Sequence, residues 1–395
     1  MSRNGQVIVA MSGGVDSSVA ACLLKDQGYA PIGVFMWVGR GAEQSIPADR
    51  ERRELPQAKQ GCCSIGDACD AKAVASRLGI PFYSMNFQED FGQIIEYFVD
   101  EYARARTPNP CVICNTRIKF GKLLAYADVR GAEYIATGHY ARVLRGSDAQ
   151  GACPSCVSST AESAPHASDG EPVFLARSVN IAKDQSYALF GIRRGNLHRC
   201  LFPVGAIADK AEVRRIASGL GLDVHDKRES QEICFVPDDD YKQLVRSRRP
   251  ETEQPGDVRD SAGQLLGTHT GIVNYTIGQR RGLRIAAGHP IYVTRLDAAT
   301  NTVTVGSREE LLSTQLVAEG LNWLTDPPEV DAWRTVQIKI RYQHTPVAGR
   351  IVRRGTEAVE AVFDEPQPAV TPGQAAVFYD GEIVLGGGWI SSPAS

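Results

Sequence analysis

The chain lacks a long hydrophobic run, and no stretch approaches the length that spans a bilayer, so no membrane partner is expected. It lacks an apolar leader as well. Its first apolar run is short and breaks at Ser12, which argues against a secretory signal. It lacks an excess of positive charge. A formal net charge of −3 excludes a basic nucleic-acid coat, so any contact with RNA has to rest on local patches. Ten cysteines are scattered unevenly over 395 residues and do not read as a disulfide framework. No internal repeat is visible. Together these absences point to a cytoplasmic protein with reduced thiols. What remains is ordinary: 43% hydrophobic and 23% charged residues, in a chain long enough for two or three domains.

Near the start, Val7, Ile8 and Val9 form a β-branched run suited to a strand buried on both faces of a parallel sheet. The run ends at Ser12-Gly13-Gly14. Two glycines allow a tight turn and remove side chains that would block an anion. Asp16, Ser17 and Ser18 suit N-cap and first-turn positions, Val19, Cys22 and Leu23 follow at helical spacing, and Gly28 is placed to stop the helix. A glycine-rich turn leading into a helix N-terminus favours a phosphate. No lysine follows the glycines, so this is not the common P-loop. S-G-G-V-D-S-S at 12–18 resembles instead the PP-loop of the ATP pyrophosphatases. In that superfamily the loop holds the β,γ-pyrophosphate of ATP while AMP is attached to a substrate oxygen.

Further strands are expected at 31–36, 80–85 and 134–137, alternating with helices at 67–78 and 93–105. Ala71, Val74, Ala75 and Leu78 share one face of the former helix. Ile94, Ile95, Phe98 and Tyr102 form the stripe of the latter. Such alternation implies a doubly wound parallel α/β sheet, with ligands bound beyond the strand ends. Ser12, Met36 and Gly138-His139 mark those ends and are expected to converge on one nucleotide. The segments 40–60 and 146–170 read as an exposed loop and a flexible insertion. A helix with Val213, Ile216, Ala217 and Leu220 on one face is expected from 210 to 220. Beyond 236 the character changes. Glycine-punctuated segments suggest a small central domain at 237–315. The alternation of Val336, Ile338 and Ile340, and the Asp380-Gly381 hairpin signal, suggest a β-barrel at 316–395. The ATP-binding domain is then 1–236.

Two stretches bear thiols in informative settings. Pro108 and Pro110 make a stiff approach to Cys111 and Cys114, which stand three apart and could share a face or a metal. Arg104, Arg106, Arg117, Lys119 and Lys122 flank them, and positive charge raises the thiolate fraction. Cys234 follows a charged run and precedes Phe235 and Val236; taken alone it could be a core cysteine. Cys153 and Cys156 sit at zinc-like spacing without a second pair and are expected to be dispensable. Cys62, Cys63 and Cys69 are uncommitted. His139 is expected to be structural.

The combination is more specific than its parts. T-P-N-P-C-x-x-C-N at 107–115, T-G-H-Y at 137–140, K-D-Q-S-Y at 183–187 and S-Q-E-I-C-F at 230–235 follow the PP-loop. L-F-P-V-G at 201–205, G-Q-R-R-G-L at 278–283 and T-P-G-Q-A-A-V-F-Y-D-G at 371–381 complete the set. Taken together the chain resembles the tRNA-uridine 2-sulfurtransferases nearly throughout, except at 40–60 and 146–170. The resemblance implies that Ala10, Met11, Ser12, Gly13, Gly14, Val15, Asp16 and Ser17 hold the phosphates of ATP, with Met36 and Gly138 against the rest of the nucleotide. Magnesium is expected with ATP. The C2 oxygen of a wobble uridine is activated as an adenylate. Cys234 carries a persulfide, and Cys114 resolves the exchange, by way of a Cys114–Cys234 disulfide. Asn109, Pro110 and Cys111 lie against the flipped-out base. Lys183, Asp184 and Gln185 contact tRNA, as do Arg341 and Tyr342, the latter pair as a cation beside a stacking surface. The family acts on tRNAs for Lys, Glu and Gln, and a persulfide donor protein is implied.

One departure bears on mechanism. The best-known members carry Asp where this chain has Cys111, which leaves the source of a base open. Cys111, Cys114 and Cys234 could instead hold a [4Fe–4S] cluster with one iron open to sulfide. Both routes stand at the level of sequence. So do two other readings: an amide-forming ligase that uses the same loop, and an RNA-binding module without turnover.

Overall fold

A computed structural model describes residues 3–39, 64–149, 171–222, 233–236 and 240–394. The loop at 40–60, Cys62, Cys63, Cys153, Cys156, the insertion from 150 to 170 and the run 226–232 lie outside the described residues. The chain divides into two compact units. The first comprises Met1–Ile95, Cys111–Asp239 and Glu382–Val384. The second comprises Glu96–Pro110, Asp240–Gly381 and Leu385–Ser395.

The first unit begins with strand β1 (Gln6–Ala10), helix α1 (Val15–Asp26), strand β2 (Ala30–Trp37), helix α2 (Ile65–Leu78) and strand β3 (Phe82–Asn86). Helix α3 (Gln88–Ala103) follows, its first half in this unit. Helix α4 (Pro110–Cys114) leads directly into a π-helix, Asn115–Lys122, and then helix α5 (Leu123–Arg130) and strand β4 (Tyr134–Ala136). Strands β5 (Ala141–Arg145) and β6 (Val173–Arg177) form a hairpin, and strand β7 (Cys200–Leu201) and helix α6 (Lys210–Gly219) complete the unit. The sheet is parallel in the order β3-β2-β1-β4-β7. The β1 run lies at its centre because Val7, Ile8 and Val9 are apolar on both faces, and all three are fully buried. Strand order reverses between β1 and β4, so the crevice of this sheet opens at their C-terminal ends.

Local chemistry explains the helix boundaries. α2 starts with a capping box between Ser64 and Asp67 and ends at Gly79 in the left-handed conformation. Its predicted face, Ala71, Val74, Ala75 and Leu78, is buried. α1 departs from expectation at its start. Gly14, not a serine, is the N-cap, and no side chain caps it. α1 is buried around most of its circumference, with Leu24 deeper than Leu23. α3 begins five residues earlier than the stripe suggested, yet Ile94, Ile95, Phe98 and Tyr102 are all buried.

The second unit contains helix α7 (Tyr241–Arg248) and a four-stranded sheet of β8 (Gly256–Asp260), β9 (Leu265–His269), β10 (Tyr292–Asp297) and β11 (Thr302–Gly306), ordered β10-β11-β8-β9. Six longer strands follow: β12 (Leu312–Trp323), β13 (Trp333–Lys339), β14 (Val347–Arg354), β15 (Ala358–Pro368), β16 (Ala375–Asp380) and β17 (Ile383–Ala394). They run β12-β15-β14-β13-β16-β17, and β17 pairs back onto β12, closing a barrel. The Asp380-Gly381 turn joins β16 to β17 as its sequence indicated, with Gly381 at a positive φ.

Candidate active site

The loop after β1 is tied by its own hydroxyls. The Ser12 amide donates to Ser17 Oγ (3.2 Å), while Ser17 Oγ and Ser18 Oγ donate to the Gly14 carbonyl (3.1 and 2.8 Å). Gly13 has φ +72°, and a Cβ there would stand 2.2 Å from the Asp67 carbonyl, so α2 presses on the turn and only glycine fits. At the end of β4 a Cβ on Gly138 would meet the Asp16 carbonyl carbon and the Ser17 amide at 2.6 Å. The ends of β1 and β4 therefore converge, as the strand order requires. Without a side-chain cap, the first turn of α1 presents its amides and the positive end of its dipole to this crevice. Met36 lies half-buried at the end of β2.

Asp16 is not a bare first-turn acid. Its Oδ1 accepts from Tyr140 Oη at 2.9 Å and from Lys210 Nζ at 2.5 Å, and the Lys210 ammonium lies 5.3 Å from the centre of the Tyr140 ring. Sequence reasoning missed Lys210. A signal was present: Lys210 opens α6 directly after the Asp209 N-cap, where the helix dipole disfavours a cation, so some other group has to hold it there.

His139, beside Gly138, is half-buried and lies near Phe120 and Phe202. Burial, and then the Lys119 charge, hold its pKa well below the usual imidazole range, so the ring is neutral. Lys119 Nζ stands 3.5 Å from Nε2, and Thr137 Oγ1 stands 2.6 Å from Nδ1. An ammonium can only donate. Nε2 is therefore the acceptor, and Nδ1 carries the proton and donates to Thr137.

The residues just before the cysteine segment, up to Pro110, belong to the second unit. There, the Thr107 amide donates to the Pro372 carbonyl (2.9 Å), and Gln374 Nε2 donates to the carbonyls of Thr107 (3.2 Å) and Pro108 (3.1 Å). Two motifs far apart in sequence thus meet, and Asn109 and Pro110 continue from a fixed backbone. α4 opens on Pro110, where a missing N–H costs nothing. Cys111 is exposed and Cys114 half-buried, so this is not a buried apolar pair. The following π-helix is a form that recurs at functional sites. Within it Asn115 is buried, its Nδ2 donating to the Ala188 carbonyl (2.9 Å) while its Oδ1 has no partner among the described residues.

The expectation of five basic neighbours acting on these thiols needs correction. Arg104 and Arg106 pair with Glu101 (3.8 and 2.8 Å), and Lys122 pairs with Asp90. Two carboxylates thus offset part of the charge of these three, and Arg117 and Lys119 have no carboxylate partner among the described residues. For Cys234 the alternative of a core cysteine is excluded. Phe235 and Val236 are buried, with Phe235 edge-on to Phe91 at 5.5 Å, but Cys234 itself is exposed. It is a surface thiol on an anchored turn. Cys22 and Cys200 are the true core thiols, pushed by burial up to about 11 and about 12.

Among the described residues no three His, Cys, Asp or Glu side chains are grouped to hold a metal ion. Cys111, Cys114 and Cys234 are thus not assembled as a cluster ligand set, and no step is derived through one. Lys183 is half-buried. Asp184 is buried and accepts from the Ser178 amide (3.0 Å) and Ser186 Oγ (2.8 Å), so its carboxylate orders the loop. Gln185 Oε1 accepts from the Tyr140 amide (2.9 Å). In the barrel Arg341 donates to the Pro368 carbonyl (3.1 Å). The Lys339 ammonium lies 5.9 Å from the centre of the exposed Tyr342 ring. No helix among the described residues is long and apolar enough to cross a membrane.

Three family models match in succession: a tRNA methyl transferase HUP domain at residues 5–238, a tRNA methyl transferase PRC-barrel domain at 244–307 and an aminomethyltransferase β-barrel domain at 313–390. The tRNA-specific 2-thiouridylase MnmA of Rhodopirellula baltica is 46% identical over 410 residues, covering 98% of this chain and 96% of the relative. The chain belongs to the tRNA-specific 2-thiouridylase family. The member from Geobacter metallireducens is 45% identical over 98% of this chain and 97% of its own, and one from Clostridium tetani 41% over 98% of each. Two solved structures resemble it remotely. A 4-thiouridine synthetase–RNA complex with bound ATP is 13% identical, covers 62% of this chain and 51% of that chain, and has a TM-score of 0.34. An NMN synthetase from Francisella tularensis is 15% identical, covers 62% and 77%, and has a TM-score of 0.29. Likeness at that level carries no argument about chemistry.

Proposed function

We propose that this chain thiolates C2 of the wobble uridine in tRNA at the expense of ATP. The observation that carries the reading is that one compact unit holds both an uncapped, glycine-turned helix N-terminus at the sheet's crevice and an exposed, anchored thiol at Cys234. The loop from Ala10 to Ser17 takes the β,γ-phosphates, with magnesium offsetting their charge, and Met36 and Gly138 line the nucleotide. The uridine O2 attacks the α-phosphorus, pyrophosphate leaves, and an O2-adenylate forms. A donor protein charges Cys234 as a persulfide. Its terminal sulfur attacks C2 and AMP departs, leaving uridine joined to Cys234 through a disulfide. The Cys114 thiolate then attacks Cys234 Sγ. The product leaves with its sulfur, and a Cys114–Cys234 disulfide remains for an external thiol to reduce.

Asn109, Pro110 and Cys111 hold the extruded base, and Lys183, Gln185, Arg341 and Tyr342 contact the tRNA. Asp184 contributes by ordering its loop. The substrates are tRNAs for Lys, Glu and Gln, and the setting is the cytoplasm. Purified protein given ATP, magnesium, a persulfide donor and unmodified tRNA is expected to release AMP in step with 2-thiouridine. AMP without thiouridine would favour the ligase reading, and tRNA binding without AMP would favour a binding module.

A further inference from the structure

Lys119 carries a charge that no carboxylate among the described residues answers. It is half-buried, and among the described residues its polar partner is the neutral His139 ring at 3.5 Å, with no carboxylate beside it. A partly desolvated ammonium held only by a neutral acceptor is a cost to the fold unless an anion completes it. The other lysine of this crevice, Lys210, is by contrast paired with Asp16.

The hold on Lys119 is directional. Thr137 fixes the imidazole through Nδ1, so the lone pair of Nε2 faces the ammonium. Thr137 and His139 flank Gly138, the residue pressed against Asp16 and Ser17. Lys119 therefore hangs from the strand end that touches the phosphate loop. Its own backbone lies on the π-helix that continues from Cys114. The ammonium belongs structurally to both the nucleotide loop and the thiol segment.

We propose that Lys119 is a catalytic cation for adenylation, binding the α-phosphoryl oxygens of ATP as uridine O2 attacks, and that His139 is the residue that positions it. The proposal rests on the thiolation reading above. As the bond from O2 to phosphorus forms and the bond to the pyrophosphate oxygen breaks, charge accumulates on the equatorial oxygens. A fixed ammonium stabilises that charge more than the ground state. His139 donates nothing to the substrate and takes no proton from it; its task is to keep Nζ from swinging out to water.

The test uses the full-length protein with ATP, magnesium and unmodified tRNA, scoring AMP formation in a single turnover. Lys119→Gln is expected to slow that step about 100-fold or more, with the KM for ATP changed less than about threefold, as for loss of one transition-state donor. Lys119→Arg recovers part of the rate. His139→Leu slows the Lys119 enzyme but adds nothing when Lys119→Gln is already present, the signature of a residue acting through another. Thermal melts of each variant accompany the rates, and Lys119→Gln and Lys119→Arg, at a half-exposed position, keep the question open to test if His139→Leu does not fold. Near-native AMP formation by Lys119→Gln would overturn the proposal, as would an undiminished effect of His139→Leu in that background. If the wild-type protein itself makes no AMP with tRNA, the thiolation reading fails and the proposal falls with it.

Discussion

Gln374 donates its side-chain amide to the backbone carbonyls of both Thr107 and Pro108, at 3.2 and 3.1 Å, across a sequence separation of more than 260 residues. One side chain from the loop before β16 thereby sets the backbone that leads to Asn109 and Pro110. Gln374→Leu removes both bonds and leaves two part-buried carbonyls unanswered. A loss of about 1–3 kcal/mol is expected, read as a lowered urea midpoint. Thiolation is expected to fall further than ATP binding, because Asn109 and Pro110, which we propose hold the base, lose their support and the loop at 10–17 does not. Equal loss of both would contradict this.

Three histidines make stability depend on pH. Burial is the first cause of a depressed pKa at His139, His269 and His344 alike. At His269, the Gly271 amide donates to Nδ1 (3.1 Å), so Nε2 carries the proton toward the Asn301 carbonyl (3.1 Å), and the ring is neutral. A group whose folded pKa lies below its unfolded value contributes stability above the unfolded pKa and loses it as pH falls toward the folded one. Below about pH 6.5 the unfolded chain takes up protons that the folded chain refuses. Urea midpoints at pH 8, 6 and 5 are expected to decline, and His269→Gln to flatten the decline. A midpoint that rises on acidification would refute it.

Thiol reactivity separates structural from chemical cysteines. At pH 8, Cys22 and Cys200, at about 11 and about 12, hold a thousandth of their population or less as thiolate, as an order of magnitude, and are buried besides. Brief exposure to iodoacetamide followed by peptide mass mapping is expected to label Cys69, Cys111 and Cys234 and to spare Cys22 and Cys200 in the native protein. Early labelling of Cys200 would contradict the burial that defines it.

The parts legible in the sequence were those set by local rules. The Val7-Ile8-Val9 run, the glycine turn and the helical stripe of α2 each need only neighbouring residues to be recognised. Family resemblance supplied the roles proposed for the thiols. What stayed hidden depended on distant partners or on an uncommon helix. Nothing near Gln374 points to Thr107, and nothing in the period of 115–122 marks a π-helix. The basic flank of Cys111 looked unopposed because Glu101 and Asp90, two carboxylates that pair with three of its five members, come from α3. For Cys234 a core position stood as an alternative because Phe235 and Val236 are apolar; the thiol is exposed, on a turn closed by the Val236 amide on the Ile233 carbonyl (3.0 Å).

The most direct measurement weighs the nucleosides of tRNA treated with ATP, magnesium and a persulfide donor, comparing wild type with Cys234→Ala. The account predicts 2-thiouridine from the wild type, none from Cys234→Ala, and AMP formation retained by that variant because adenylation precedes sulfur transfer. Thiouridine in undiminished yield from Cys234→Ala would contradict it.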